Sequence, residues 1–297
     1  MPKPYGVCKL TGQNGALVRS HLIPKAFTRF KDSHAPRIES GIGLRPIRVH
    51  DSWYDRNLVT RSGEDILERY DDFAVREFRR LKLVWSGWEG EEPSELDGLE
   101  PSFDLPQPFG SWCFRKVTSI NPERIRLFAL SLLWRAAASE MRAVVNVSLE
   151  ADRLECLRQM VIRGNPEPMS MFPVTLIQFV TKGALHNQSP TKETKIFPAI
   201  DGEEDTESTF FRFYFDGLLI HVHEDMPSAR KVSLGDMELA RRKNLLFLLD
   251  PLRAQHRTIE WIALFWMPRL TTQTFLIEFL DVGQIKRFVL ARLRAIQ

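Results

Sequence analysis

The sequence predicts an α+β protein, on three observations. A run apolar on most faces (FALSLLWRAAASEM, 128–141) follows Asn121-Pro122-Glu123 and reads as a mostly buried helix. Two strand-like runs, FFRFYF (210–215) and LLIHVH (218–223), flank Asp216-Gly217, a dipeptide that accepts the positive φ angles of a tight hairpin turn. An amphipathic basic stretch, IKRFVLARLRAI (285–296), closes the chain. Helices first, then an antiparallel sheet, then a C-terminal helix is an α+β order.

Taken in order, the body elements have local reasons. Asn121 is an N-cap, Pro122 fits the first turn, and Glu123 sits near the positive end of the dipole. The helix they start is expected to run from Ile125 to Ala143; Arg124, Arg126, Arg135 and Arg142 interrupt it and exclude a membrane span. Ser148 is expected to cap a second helix, with Leu154, Leu157 and Val161 on one face and Gly164 ending it. Pro173 precedes VTLIQFV (174–180), a strand, and residues 201–207 form an acidic loop. TIEWIALFWM (258–267) supplies another strand before Pro268. No repeat with a period of about 20–50 residues is present, which argues against solenoids and propellers.

Length and composition bound the rest. At about 150 residues per domain, 297 residues predict one large domain or two ordinary ones, with ample core. Twenty Phe and seven Trp argue against disorder. Cys8, Cys113 and Cys156 are odd in number and widely spaced, which favours a reducing compartment over a disulfide framework. The start, MPKPYGVCKL, has no apolar signal core, and no stretch of about 18 uncharged apolar residues exists, so a cytoplasmic protein with no membrane partner is expected.

The net charge of +3 hides a segregation. Residues 1–61 carry eleven Lys/Arg against four Asp/Glu, a net of +7, whereas 85–111 carry seven acids and no base, with four Pro and four Gly. The expected organisation is therefore a basic module (1–84), an acidic Pro/Gly-rich linker (85–111) and an α+β body (112–297). A basic module fits nucleic acid, because Lys and Arg gain affinity by releasing phosphate counterions. It equally fits a solvated surface balanced by its own acidic linker.

The candidate chemistry lies in that module: Cys8-Lys9-Leu10-Thr11-Gly12, then Ser20-His21-Leu22-Ile23-Pro24-Lys25, then Asn57-Leu58-Val59-Thr60-Arg61-Ser62-Gly63-Glu64, with Glu68 and Tyr70 beyond. In this order the segments resemble the HNH-type (His-Me finger) endonucleases, and more closely the bacterial and phage proteins patterned Cys-x-x-Cys, Ser-His-x-Ile-Pro-Lys, Cys-x-x-Cys-Glu and Glu-x-Tyr. Ser131-Leu132-Leu133-Trp134-Arg135 is similar to the body of those proteins. The resemblance covers about the first 80 residues by motif and the next 80 loosely.

The resemblance implies a small ββα module around one divalent metal, in which a His acts as general base on a water aimed at a phosphodiester. On this mapping His21 is the base, Asn57 holds the loop that bears it, and Glu64 replaces the family's last metal-binding His. An oxygen ligand suits Mg²⁺ or Mn²⁺. Arg19, Lys25, Arg29 and Arg61 are expected to grip nucleic acid, DNA before RNA, and the wider role implied is a bacterial defence effector. The family's structural zinc needs four thiolates. Here Cys8 is accompanied by Thr11, Thr60 and Gly63, so no structural zinc is expected. Ser20 stands where many HNH proteins carry a metal-binding Asp, although the closer subfamily also has Ser there.

Other features have readings of their own. His221 and His223 share one face of a strand, a geometry able to bind metal, but an exposed strand face beside Glu224 is the expectation. Trp53, Tyr54, Trp85 and Trp88 fit base stacking or anchoring of the linker. Cys8 reads as a buried thiol, and Arg76–Lys82 as a basic helical end. No Gly-rich phosphate loop, Gly-x-Ser-x-Gly elbow or dinucleotide fingerprint is present. Three classes of function follow: a metal-dependent nuclease, a degenerate relative that binds nucleic acid or a partner protein without cutting, and a scaffold or homo-oligomer subunit whose body carries the role.

Overall fold

A computed structural model describes residues 4–28, 37–41, 44–49, 52–88, 103–104, 111–117, 120–179, 186–197, 206–224 and 245–250. The chain is α+β, with helices set against largely antiparallel sheets. Strands β1 (Tyr5–Val7), β2 (Asn14–His21) and β5 (Tyr54–Thr60) form a three-stranded antiparallel sheet in the order β1-β2-β5. A short helix α1 (Lys25–Thr28) follows β2, and the long helix α2 (Arg61–Arg80) follows β5 without a break.

The second sheet comprises β3 (Arg37–Gly41), β4 (Leu44–Val49), β6 (Phe103–Asp104), β7 (Ser111–Val117), β8 (Val174–Phe179), β9 (His186–Phe197), β10 (Thr206–Phe215), β11 (Leu218–His223) and β12 (Leu245–Asp250). Among the described residues its order is β4-β3-β9-β10-β11-β8-β12-β7-β6. Two pairings, β12 with β8 and β3 with β9, are parallel, a departure from the all-antiparallel expectation. The Asp216-Gly217 turn forms as predicted, with φ of 49° and 77°, and β10 pairs with β11 from Phe215–Leu218 outward.

Helices α3 (Pro122–Ala138) and α4 (Ala151–Arg163) bridge the two sheets. The Asn121 side chain accepts a hydrogen bond from the Arg124 amide at 3.0 Å, as its N-cap position predicts. Two predicted boundaries move. Helix α3 ends at Ala138 rather than Ala143, because Ser139 takes an extended conformation and its hydroxyl bonds the Asp55 carboxylate at 2.7 Å. Helix α4 starts at Ala151 with Glu150 as its N-cap, not Ser148; the preceding chain is pinned by the buried Val147, whose amide bonds the Val144 carbonyl. The predicted Gly164 terminus holds, in a left-handed conformation.

One hydrophobic cluster runs from Cys8 to Val222 and takes side chains from both sheets and the helices between them. At its centre Phe27, Phe78, Phe128 and Phe215, one each from α1, α2, α3 and β10, pack ring to ring at centroid separations of 4.7 to 6.5 Å. Such pairs contribute about 0.5–1.5 kcal/mol each beyond their buried area. Trp85 and Trp88 anchor the chain leaving α2: the Trp85 indole donates to the Phe179 carbonyl at 3.1 Å and the Trp88 indole to that of Lys82 at 3.0 Å. Trp53 is buried in the core and offers no ring to a base.

The exposed strand face expected at His221 and His223 is instead buried, along with every other residue of β11, so both faces of this strand are covered. The His221 ring packs 4.7 Å from that of Phe210, and the Thr175 hydroxyl lies 3.5 Å from His223 Nε2. Among the described residues, no helix is long and apolar enough to cross a membrane. The predicted strand at 258–267 and helix at 285–296 lie outside the described residues, as do Arg29 and most of the 85–111 linker.

Candidate functional site

His21 ends β2 at the point where the chain must turn. The next two residues, Leu22 and Ile23, are fully buried and nail the turn to the core; Pro24 then leads into α1, its carbonyl accepting from the Phe27 amide at 2.9 Å. On the other side His21 pairs with Tyr54 of β5, and the Leu22 amide donates to the Trp53 carbonyl at 3.0 Å. The apolar-Ile-Pro stretch is thus a fixed corner that presents the residue before it.

Helix α2 brings its first turns to the same corner. A cavity of about 290 Å³ is lined by Arg19, His21, Lys25, Arg61, Glu64 and Asp71, among others, so five of the seven residues singled out in the sequence meet there. Glu64 lies in the first turn of α2, where the dipole favours an anion. It is half-buried, and its Oε2 is buried without a hydrogen-bond partner, a costly state for a carboxylate oxygen unless a cation or water completes it.

The cations differ in how they are held. Arg19 lies with its guanidinium 3.5 Å from the centroid of the Tyr54 ring, a cation–π contact that fixes its position beside the cavity. Arg56 approaches the same ring at 5.5 Å. Lys25 is exposed at the start of α1. Arg61 is engaged by Asp65 at 2.7 Å and Glu68 at 2.8 Å. Asn57 is not among the lining residues: it sits exposed in a bulge of β5, where the pairing with β2 slips between Val18 and Ser20, and its amide bonds the Asp55 carboxylate at 2.7 Å.

Two residues that the sequence reading left without a site role join this corner. Arg135 of α3, almost wholly buried, donates to Asp71 Oδ1 at 2.6 Å and Oδ2 at 3.1 Å, to the His21 carbonyl at 3.2 Å, and to the Leu67 carbonyl at 3.5 Å. Burial pushes the Asp71 carboxyl up to about 6; Arg135 opposes the rise, and repulsion from Glu64 and Asp72 adds to it. The usable sequence signal was an Arg set between LLW and AAA in a mostly apolar helix, which needs a buried acceptor.

The four positions Cys8, Thr11, Thr60 and Gly63 converge. Cys8 is fully buried; the Thr11 amide donates to its sulfur at 3.4 Å, and a Cβ on Gly63 would lie 2.7 Å from the same sulfur. Burial pushes the thiol up, but hydrogen bonds from Thr11 and Thr60 outweigh it and bring it below the ordinary range. The loop is clamped from the body: Lys9 bonds the Ala138 carbonyl at 2.9 Å, and Arg158 bonds that of Leu10 at 2.6 Å.

For a divalent ion, the fit rests on Glu64 and its unpartnered oxygen, with His21 in the same cavity. Among the described residues no three His, Cys, Asp or Glu side chains gather as a metal-holding group. One carboxylate with an unpartnered oxygen is the kind of donor that a hard ion such as Mg²⁺, which keeps several of its waters, could use. No family model, no curated protein and no solved structure matches this chain.

Proposed function

We propose that the chain is a metal-dependent phosphodiesterase of the HNH type that acts on nucleic acid, DNA before RNA. The observation that carries this reading is the shared cavity: a His fixed at a strand-end corner lines the same cavity as a half-buried carboxylate with an unpartnered oxygen, beside exposed cations. The convergence of Cys8, Thr11, Thr60 and Gly63 supports the likeness in fold on which this reading draws, since these are the positions the resemblance assigns to a zinc knuckle.

In this reading His21 takes the proton of the attacking water as general base, a role that needs the imidazole neutral. Arg19 and Lys25 bind the flanking phosphates. Glu64 would hold Mg²⁺ or Mn²⁺, and the ion would supply stabilisation of the charge that develops on the phosphate. The rigid corner made by Leu22, Ile23 and Pro24 keeps His21 in place without substrate. A bacterial defence role is the setting in which such an activity is proposed to serve.

The test is nicking of plasmid DNA by the purified chain with Mg²⁺ or Mn²⁺. His21→Ala is expected to lower the rate by about 10²–10⁴-fold while the thermal unfolding curve stays unchanged. Wild-type protein that cuts neither DNA nor RNA with either ion refutes the reading. Asn57 lying off the cavity favours a second one, a relative that binds nucleic acid without cutting; there, binding is salt-dependent and indifferent to His21→Ala.

A further inference from the structure

We propose that Arg135, reaching the basic module from helix α3, is a positioning residue for His21, with Asp71 bracing its guanidinium. The inference deepens the phosphodiesterase reading and rests on it for the role of His21, though not for the geometry. One planar fork joins three elements: Nη1 donates to Asp71 Oδ2 and to the His21 carbonyl, while Nη2 donates to Asp71 Oδ1 and to the Leu67 carbonyl. The His21 carbonyl is thus held from α3 and not only by its own sheet.

The fork is itself immobile. Every residue of α3 from Ile125 to Ala136 is buried, so Arg135 cannot shift without disturbing the core. Its bidentate pairing to Asp71 fixes the plane of the guanidinium, and the third acceptor then fixes the strand end. Lysine offers one nitrogen on a flexible stem and cannot span three acceptors in a plane. Arg135 is not among the residues lining the cavity, so it acts on His21 and not on substrate. The body of the protein therefore completes the site that the first 84 residues carry.

The experiment compares full-length wild type, Arg135→Lys and Asp71→Asn, each checked for a cooperative melt. Two readouts are taken: the imidazole NMR resonance of His21, assigned by its loss in His21→Ala, and kcat and KM for metal-dependent cleavage. Arg135→Lys is expected to move the His21 resonance and its titration, and to lower kcat by about 10–100-fold with KM within about twofold, since small misplacements of a catalytic group cost that much. Asp71→Asn, which keeps an acceptor for the fork, is expected to show a smaller change of the same kind.

A His21 resonance and titration unmoved in Arg135→Lys overturns the proposal, as does a rise in KM with kcat unchanged. If Arg135→Lys does not fold, an unmoved resonance in Asp71→Asn overturns it instead. The two ideas fail separately. Wild type that cuts nothing while the resonance moves defeats the nuclease reading and supports the positioning role. Equal cleavage by wild type and Arg135→Lys defeats the positioning role alone.

Discussion

The indole of Trp85 lies so close over Gly217 that a Cβ there would sit 2.3 Å from the ring. Gly217 also has φ of +77°, so the turn demands glycine twice, once for conformation and once for space. Around it the Trp85 amide donates to the Asp216 carbonyl at 2.9 Å, and the Ser86 amide reaches both Asp216 carboxylate oxygens at 3.2 Å. The exit from α2 is thereby locked to the β10–β11 hairpin. Gly217→Ala is expected to lower stability by about 2–4 kcal/mol, from overpacking plus backbone strain. Urea unfolding followed by Trp fluorescence measures it, and a loss under about 0.5 kcal/mol would show that the ring yields freely.

The hairpin turn and the Asn121 cap were legible because each is decided within four residues. The end of α3 was not, since it is set by Ser139 meeting Asp55, 84 residues away in sequence. Arg135 and Asp71 are 64 residues apart, and no local pattern names one as the partner of the other. His221 and His223 have the alternation of a half-exposed strand; only tertiary packing, which buries every residue of β11, covers both faces. His21 and Glu64, singled out by their motifs, line one cavity, whereas the place of Asn57 outside it depended on a register slip in β5 that spacing does not encode.

Gly63 occupies the third position of α2, where alanine is the better helix former by about 1 kcal/mol. Here the added methyl meets Cys8 Sγ at 2.7 Å and Val59 Cβ at 3.0 Å, in a fully buried place. Overpacking outweighs propensity, so Gly63→Ala is expected to destabilise by about 1–3 kcal/mol. Cys8→Ala removes the obstructing sulfur, and the double variant is expected to be more stable than the sum of the single losses, by about 1 kcal/mol or more. Strict additivity in chemical denaturation would falsify the idea that this contact is what requires glycine.

Arg19 is held against Tyr54 at 3.5 Å beside the cavity. If it contacts a phosphate, Arg19→Ala is expected to reduce the slope of log affinity against log salt by about 1 for duplex DNA. Tyr54→Leu keeps the cation and removes the ring that fixes it. Affinity is then expected to fall about two- to fivefold, corresponding to roughly 0.5–1 kcal/mol, with the salt slope preserved. Fluorescence anisotropy titrations between 50 and 200 mM salt, roughly the range over which such contacts are lost, separate the two variants. A slope unchanged by Arg19→Ala removes Arg19 from the nucleic-acid surface.

Asp71 gives the cavity a distinct pH signature. Its carboxyl is raised by burial from 3.8 to about 6, so between those values the folded state holds a proton that the unfolded state has released. The stability from this group is fully present below about pH 4 and is lost as pH rises towards and through 6; a shift of this size corresponds to about 3 kcal/mol across the window. Lowered carboxylates such as Glu77 act in the opposite sense, so the wild-type curve alone does not isolate the effect. The difference between wild type and Asp71→Asn does. That difference in unfolding free energy is expected to fall from pH 4 to 7, because the amide cannot titrate. Urea midpoints taken at half-unit pH steps measure it, and a difference that rises across the window would mean that Arg135 governs Asp71 and holds its carboxyl below, not above, the ordinary value.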